Sequence, residues 1–435
     1  MSGPSVGRRG LLILCAGAAA VVPGLASADE TRASADVSAG VGYSNNPFTG
    51  TDAGGSGSSG SVFGQVGISP EIRILNERRV IAVGGDLFYQ DYFNDYRSTA
   101  SYQAHADYSD RLTESTSVHA RLGYLSARLG TLGFGGLGGL AGGTLDPVVG
   151  PPNLDPTGAG AGAGLANPTV GVPLLPGADV GAFGAGQRQR TLTANADFSS
   201  ALSSRDTLTG SAFYLNSSYG RSPNATLFGT LGDYDGYGST LGVRRTLSEF
   251  TSVGIQGSVS SYNYDASQGD TRVYSLQGTV STRLNQFWSL DASLGASYQD
   301  QQRGDNGTTL SGSANLCRRG ERTNTCILVA RSVVPTGFAG TQTQTSAGLS
   351  WQMQVGELDN LSLGASYVDL SGGNSNLGAL DDQYALANAG YTRSLGQRLR
   401  LSPSIFYRKV FGGSIRRDDD YGGQVSLSYR LGDLR

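Results

Sequence analysis

Tyr274-Ser275-Leu276-Gln277-Gly278-Thr279-Val280-Ser281, then Leu284-Asn285-Gln286-Phe287, then Trp288-Ser289-Leu290-Asp291-Ala292-Ser293-Leu294-Gly295-Ala296-Ser297-Tyr298 read as a strand, a tight turn and a second strand. In the first strand Tyr274, Leu276, Gly278 and Val280 alternate with Ser275, Gln277, Thr279 and Ser281. In the second, Trp288, Leu290, Ala292, Leu294, Ala296 and Tyr298 alternate with small polar residues. A period of two puts one row on each face of a β-sheet. The apolar row is rich in Gly and Ala and ends in aromatics. Such a row suits lipid between two aqueous interfaces better than a protein core.

The same turn recurs along the chain: Leu75-Asn76-Glu77-Arg78, Leu112-Thr113-Glu114-Ser115, Leu202-Ser203-Ser204-Arg205, Leu247-Ser248-Glu249-Phe250, Val355-Gly356-Glu357-Leu358 and Leu395-Gly396-Gln397-Arg398. With the first example these make seven hairpins. Their far ends are joined by segments of a few residues to nearly sixty. Short turns on one side and long loops on the other are the asymmetry of outer-membrane barrels. An opening strand near Asp36 to Asn46 and a closing one near Gly422 to Leu431 bring the expected total to about sixteen antiparallel, up-and-down strands. Pro70 and Pro403 fall inside otherwise good strands and are expected to mark bulges. A soluble sandwich or propeller would show larger core aliphatics and more regular repeats.

The ends and the composition agree with this reading. Arg8-Arg9, the apolar run Leu11 to Val22, Pro23-Gly24 and Ala26-Ser27-Ala28 form a Sec signal peptide over residues 1–28, leaving 29–435 as one barrel domain. Leu14 before Cys15 does not fit a lipobox, and Arg8-Arg9 lacks the context of a twin-arginine signal. Beyond residue 28 no apolar run approaches the roughly twenty residues of a membrane helix. The chain holds 66 Gly, 21 Tyr and one lysine, Lys409, at a net charge of −3. Clustered basic residues that would neutralise phosphates are missing, which argues against a nucleic-acid partner. No periplasmic recruitment domain is expected before the first strand.

Three outer loops are expected: Phe48 to Gly60, about Gly130 to Gly186, and about Arg303 to Gly340. The second contains Gly158-Ala159-Gly160-Ala161-Gly162-Ala163-Gly164, without the strand-to-helix context or Lys-Ser/Thr of a nucleotide loop. It reads as a plug, a lid or a surface loop. The third carries Cys317 and Cys326, expected to form a local disulfide in an oxidising compartment. No metal or cofactor is expected.

The lumen-facing row is chiefly Ser, Thr, Gln, Asn and Gly. Its charged candidates are Glu71, Arg73, Asp86, His105, Asp107, His119, Arg121, Asp197, Arg244, Arg283, Asp291 and Arg400. Both signs occur, so the wall suits a hydrated, weakly charged or polyhydroxylated solute. With a turn centred on Thr113, Asp107 falls opposite His119, and His105 opposite Arg121. Ser109 and Ser117 share that face and would complete a Ser-His-Asp cluster by spacing. Serine lines nearly every strand, however, and a polar cross-strand ladder is the expectation. No enzyme is expected.

Val37-Ser38-Ala39-Gly40-Val41-Gly42-Tyr43-Ser44-Asn45-Asn46, the Ser69-Pro70-Glu71 strand and hairpins such as Tyr102 to Leu112 carry a resemblance. Across the mature chain the sequence resembles the β-barrel porin families of Gram-negative bacteria, in particular the β-barrel-porin-2 and EpsL-like barrels found with exopolysaccharide operons. The resemblance implies a part in moving or organising a secreted polysaccharide at the outer membrane. Implied partners are outer-membrane lipid, the barrel-assembly machinery, polysaccharide and periplasmic export components; no catalytic residues are implied. The competing expectation is a plugged structural or adhesive surface barrel.

Overall fold

In the computed structural model, residues 30–47, 60–93, 98–128, 187–220, 231–265, 269–302, 306–337, 340–372, 382–412 and 418–432 are described. Residues 1–28, expected to be a signal peptide, most of Phe48 to Gly60 and the Gly130 to Gly186 segment lie outside them. Every regular element among the described residues is a strand. The first nine are β1 (Glu30–Ser44), β2 (Ser61–Leu75), β3 (Arg79–Tyr92), β4 (Thr99–Arg111), β5 (Thr116–Arg128), β6 (Arg188–Ala201), β7 (Asp206–Tyr219), β8 (Tyr234–Thr246) and β9 (Thr251–Tyr264). The remainder are β10 (Thr271–Arg283), β11 (Trp288–Gln301), β12 (Gly307–Arg319), β13 (Thr323–Thr336), β14 (Gly340–Gln354), β15 (Asp359–Ser371), β16 (Asp382–Ser394), β17 (Leu399–Gly412) and β18 (Asp420–Gly432).

Each strand pairs antiparallel with its neighbours in sequence, and β1 pairs with both β2 and β18. The sheet is therefore a closed barrel of 18 strands, not about sixteen. The extra hairpin is β12–β13, inside the segment expected to be the third outer loop. Cys317 and Cys326 consequently sit on strands, directly opposite each other beside a tight turn at Gly320, and are disulfide-bonded. The turn Gly320-Glu321-Arg322 lacks the leading Leu or Val of the other seven, which hid it.

Those seven turns have a common construction. In five of them the leading Leu or Val N–H donates to the carbonyl four residues on, as Leu284 does to Trp288 at 2.9 Å and Leu395 to Leu399 at 2.8 Å. At Thr113, Ser203, Ser248 and Asn285 the side chain caps the loop: Asn285 Oδ1 accepts from the N–H groups of Phe287 and Trp288 at 2.9 and 3.0 Å. Such side-chain mimicry of a backbone turn is what these residue types supply. Leu112, Leu202, Leu247, Leu284 and Leu395 are left exposed as an apolar rim at the turn end. Exposed tyrosines, among them Tyr43, Tyr89, Tyr237, Tyr274, Tyr298, Tyr407 and Tyr421, stand at the loop end. Between the two rims the outer surface shows Val, Leu, Ile, Ala and Gly.

Pro70 and Pro403 do not create bulges. Ile68↔Leu87 and Glu71↔Gly84 flank Pro70 with equal residue counts on both strands, and Gly390↔Ser404 and Arg393↔Leu401 do the same for Pro403. The ladder lapses only on the side that needs the missing N–H, while Pro70 stays opposite Ala35 and Pro403 opposite Val425.

The closing seam is fastened at both ends. Arg430 donates two bonds to Asp36, at 3.0 and 2.9 Å, on the turn side. On the loop side Arg408 and Asp420, 2% and 1% exposed, pair at 2.7 Å. Asp420 also accepts from Ser44 Oγ at 2.6 Å and the Asn46 N–H at 3.2 Å, and Arg408 donates to the Pro47 carbonyl at 3.0 Å. Breaking one partner of a buried, hydrogen-bonded pair costs about 3–5 kcal/mol. Arg408→Ala is thus expected to lower the urea midpoint of the barrel in phosphatidylcholine vesicles sharply. Joint Arg408→Met and Asp420→Leu should recover much of the loss; equal loss in both would assign the effect to packing.

Candidate functional site

The inward face is identified by contacts that only a lumenal side chain can make. Tyr219 of β7 packs with Val368 and Leu370 of β15, Tyr384 of β16 and Val410 of β17, across the barrel. Gln277 of β10 reaches over β11 to donate to Ser311 Oγ of β12 at 3.1 Å. The polar row of each strand shares this face.

In the turn-side half the wall is polar and carries charges of both signs. Glu71 and Arg73 bond to each other on β2, and Gln103 bonds Asp86 between β4 and β3. Asp107 lies 3.3 Å from Arg121 Nε, 3.9 Å from His105 Nε2 and 4.0 Å from His119 Nε2, while His119 Nδ1 is 3.7 Å from Asp197. Arg244 donates to Ser252 Oγ and Ser281 donates to Asp291, each at 2.6 Å. Arg283 stands opposite Ser289 near its turn, and Arg400 opposite Ser428. All twelve candidates occupy inward register positions, but in separate small groups.

One detail of this hairpin differs from the sequence reading. Asp107 faces Arg121, His119 faces Ser109 and His105 faces Gly123. Leu112 belongs to a five-residue loop between Arg111 and Ser117, so the turn centres on Glu114 and the register moves by two. His119 thereby lies between Ser109 on β4 and Asp197 on β6, with carboxylate oxygens of Asp107 and Asp197 at 4.0 and 3.7 Å. Among the described residues, no three His, Cys, Asp or Glu side chains converge on a metal-sized site.

The outer half is different, and sequence reasoning missed its main feature. The β12–β13 ladder stops at Gly312↔Arg331, although β12 continues to Gly307 along β11 and β13 continues to Thr336 along β14. Beyond Arg331 the β13–β14 hairpin is buried on both faces: Ser332, Val333, Pro335, Thr336, Thr341 and Gln342 are all buried. Val333 continues the outward row of Ile327, Val329 and Arg331, yet packs against the inward-facing Tyr262 and Val273. Val334, on the opposite face, packs against Val368, Leu370, Tyr384 and Val410. A strand can do both only if it has bent into the lumen. Thr341 Oγ1 is tied to Gln301 at 3.3 Å and Thr271 at 3.4 Å, and the Gly232 N–H donates to the Gly337 carbonyl at 2.7 Å. The hairpin therefore spans the mouth from the β8–β11 wall to the β15–β17 wall.

Cross-strand glycines make room for the ring systems beneath it. A Cβ at Gly236 would lie 2.5 Å from the Tyr262 ring, and one at Gly238 2.6 Å from that of Phe213. Both rings lie flat on the wall and are available to the hairpin. The continuous apolar run Cys326-Ile327-Leu328-Val329-Ala330 was the signal that could have revealed this strand, masked by its Arg- and Asn-rich flanks.

No family model matches the sequence, and no curated protein matches it. Among solved structures the chain is similar to OpdL of Pseudomonas aeruginosa, at 12% identity and TM-score 0.42 over 93% of this chain and 99% of that one. It is also similar to a BenF-like porin of Pseudomonas fluorescens Pf-5, at 10% identity and TM-score 0.46, with 93% and 99% covered. A ferric enterobactin receptor, PfeA of Pseudomonas aeruginosa, gives 9% identity and TM-score 0.44, with 92% and 80% covered. Likeness at this distance identifies neither a family nor a cargo.

Asp107 is the carboxylate around which Arg121 and both histidines gather. Asp107→Asn leaves Arg121 without its nearest counter-charge, and is expected to lower cation relative to anion permeability in a conducting form of the barrel. Reversal potential under a KCl gradient reads this directly; an unchanged value would remove the cluster from the permeation path.

Proposed function

We propose that the protein is an outer-membrane channel of porin type, whose polar lumen passes a hydrated, weakly charged solute and whose outer mouth is stopped by the β13–β14 hairpin. The observation that carries this reading is the burial of that hairpin on both faces between opposite lumenal walls. A barrel that closes on itself satisfies its backbone without water on the outside, as a sheet in lipid must. The outer surface supports the same setting, with tyrosines at the loop end and leucines at the turn end of an apolar belt. Eighteen strands enclose enough space for an aqueous path.

The wall favours a neutral, polyhydroxylated cargo, because hydroxyl and amide groups outnumber charges of either sign. A secreted polysaccharide strand, as the sequence resemblance implies, fits that chemistry. Periplasmic components would meet the chain at its tight turns, and β18 is the segment offered to the barrel-assembly machinery.

Magnitudes give the stopper a testable stiffness. Burying Val333 fully and Val334 in part is worth about 2–4 kcal/mol, so the open form would be about one molecule in thirty to one in a thousand. Val333→Ser with Val334→Ser removes most of that. In planar bilayers the native barrel is expected to show rare openings, and the variant at least about a tenfold higher open probability. A native barrel that is fully open would sink the stopper. Silence from both, with folding verified by heat-modifiable gel mobility, would sink the channel.

A further inference from the structure

Where β5 and β6 reach the loop end, their outward rows turn from apolar to basic. The row of β5 runs Leu122, Tyr124, Ser126, Arg128, and that of β6 runs Leu192, Arg190, Arg188. Arg128 stands directly opposite Arg188, and Arg190 opposite Ser126, one step beyond the pair Tyr124 and Leu192. Tyr102 of β4 faces Ser126 from the other side and is 39% exposed, which fixes this face as the outer one. Three arginines on two adjacent strands therefore share one patch, at the outer rim of the apolar belt and just past its tyrosines.

Like charges directly opposite each other on paired strands are destabilising, and Arg128 with Arg188 is such a pair. The printed contacts of Arg188 are all neutral. It donates to Ser126 Oγ at 3.1 Å and to the Ala100 carbonyl at 2.8 Å, and its guanidinium lies over the Tyr102 ring, 5.9 Å from the centre. Arg190 is exposed, and among the described residues no carboxylate pairs with Arg188 or Arg190. The outward rows of β3, β8, β11 and β15 instead carry carboxylates near their loop ends, Asp91, Asp235, Asp300 and Asp369. An anion at the rim is repelled there and attracted at β5 and β6. Arg188 is already oriented by three contacts and keeps donors to spare, and a guanidinium fork matches a phosphate with two parallel bonds. Directly below the patch the same rows continue as Tyr124 and Leu122 on β5 and as Leu192, Ala194 and Ala196 on β6. A phosphate held by the arginines thus has room for alkyl chains along the belt.

We propose that Arg128, Arg188 and Arg190 form a binding site for the phosphomonoester headgroup of a lipid in the outer leaflet, whose acyl chains lie along Leu122, Tyr124 and Leu192. The phosphate oxygens accept from Arg188 and Arg190, and their charge relieves the opposition of Arg128 and Arg188. The site rests on the lipid setting of the proposed function and is independent of permeation.

The test is native mass spectrometry of the full refolded barrel in a neutral detergent, titrated with dioleoyl phosphatidic acid or dioleoyl phosphatidylcholine. One phosphatidic acid is expected to stay bound at concentrations where phosphatidylcholine does not. Arg188→Gln with Arg190→Gln should raise its half-saturating concentration at least about tenfold, the worth of one charge-assisted hydrogen bond. Arg272→Gln, on the outward row of β10 opposite Asp300, removes one charge from another part of the rim and should leave binding unchanged. Equal retention of the two lipids, or indifference to the paired substitution, would overturn the site. Equal loss in Arg272→Gln would reduce it to the general charge of the rim and overturn it as well. Competition by excess inorganic phosphate would make the ligand a free phosphate and overturn the lipid. Flotation with phosphatidylcholine vesicles reads the setting separately: a folded barrel that does not float has no lipid-facing surface, and setting and site fall together.

Discussion

Backbone hydrogen bonding around a closed circuit is the constraint on which everything else depends. A free strand edge leaves a row of backbone groups without partners, and here the first and last strands meet. β1 and β18 do so over eleven residue pairs, from Ser34↔Gly432 to Ser44↔Gly422. The side chains concentrated on this seam, Arg430 with Asp36 and Arg408 with Asp420, hold the one junction that no turn connects. Ser44 and Asn46, part of the segment that carries the family resemblance, act as ligands of that buried carboxylate. Their presence at the end of the opening strand is explained by closure.

Once the circuit is closed, the two-residue period assigns the side chains of the wall to the outer surface or the lumen. The outward row needs only to be apolar, which explains its tolerance of Gly and Ala. The inward row faces water and is free to hold charge, as at Asp107 with Arg121, or paired hydroxyls, as at Ser297 with Ser311 at 2.8 Å. The rule fails at one place. Beyond Arg331, outward positions of β13 become inward ones because the strand leaves the wall, and the valines there serve the mouth instead of the membrane. Loss of five residue pairs is offset by burial of Val333 and Val334 against tyrosines and aliphatic residues of both walls. A stopper and a shortened β12–β13 ladder are two consequences of that single departure.

Much of the fold was legible because its signals are local. Each of the seven turns announces itself by a Leu or Val followed, in most cases, by a capping residue, and each strand by its alternation. Where the local signal changed, the reading slipped: Gly320-Glu321-Arg322 lacks the leading aliphatic, and an entire hairpin was taken for loop. The register of the His105 and His119 hairpin slipped by two because the turn centres on Glu114 and not on Thr113, with Leu112 outside the ladder. Its N-terminal neighbour Arg111 is in fact the last paired residue. The prolines misled for the opposite reason. A residue that cannot donate disrupts one hydrogen-bonded side only, and the strand kept its count.

The sequence by itself determined a closed antiparallel barrel, its turn side and loop side, and which residues face the lumen, since all of these follow from periodicity and turn chemistry within a dozen residues. Only the tertiary structure decided that Arg408 meets Asp420 and Ser44, that β13 abandons β12, and that Arg128 stands opposite Arg188. Those features join residues on strands that are neighbours around a circumference or faces across a lumen. No periodicity along the chain encodes how far a strand bends from its wall; the balance between ladder bonds and buried side chains does.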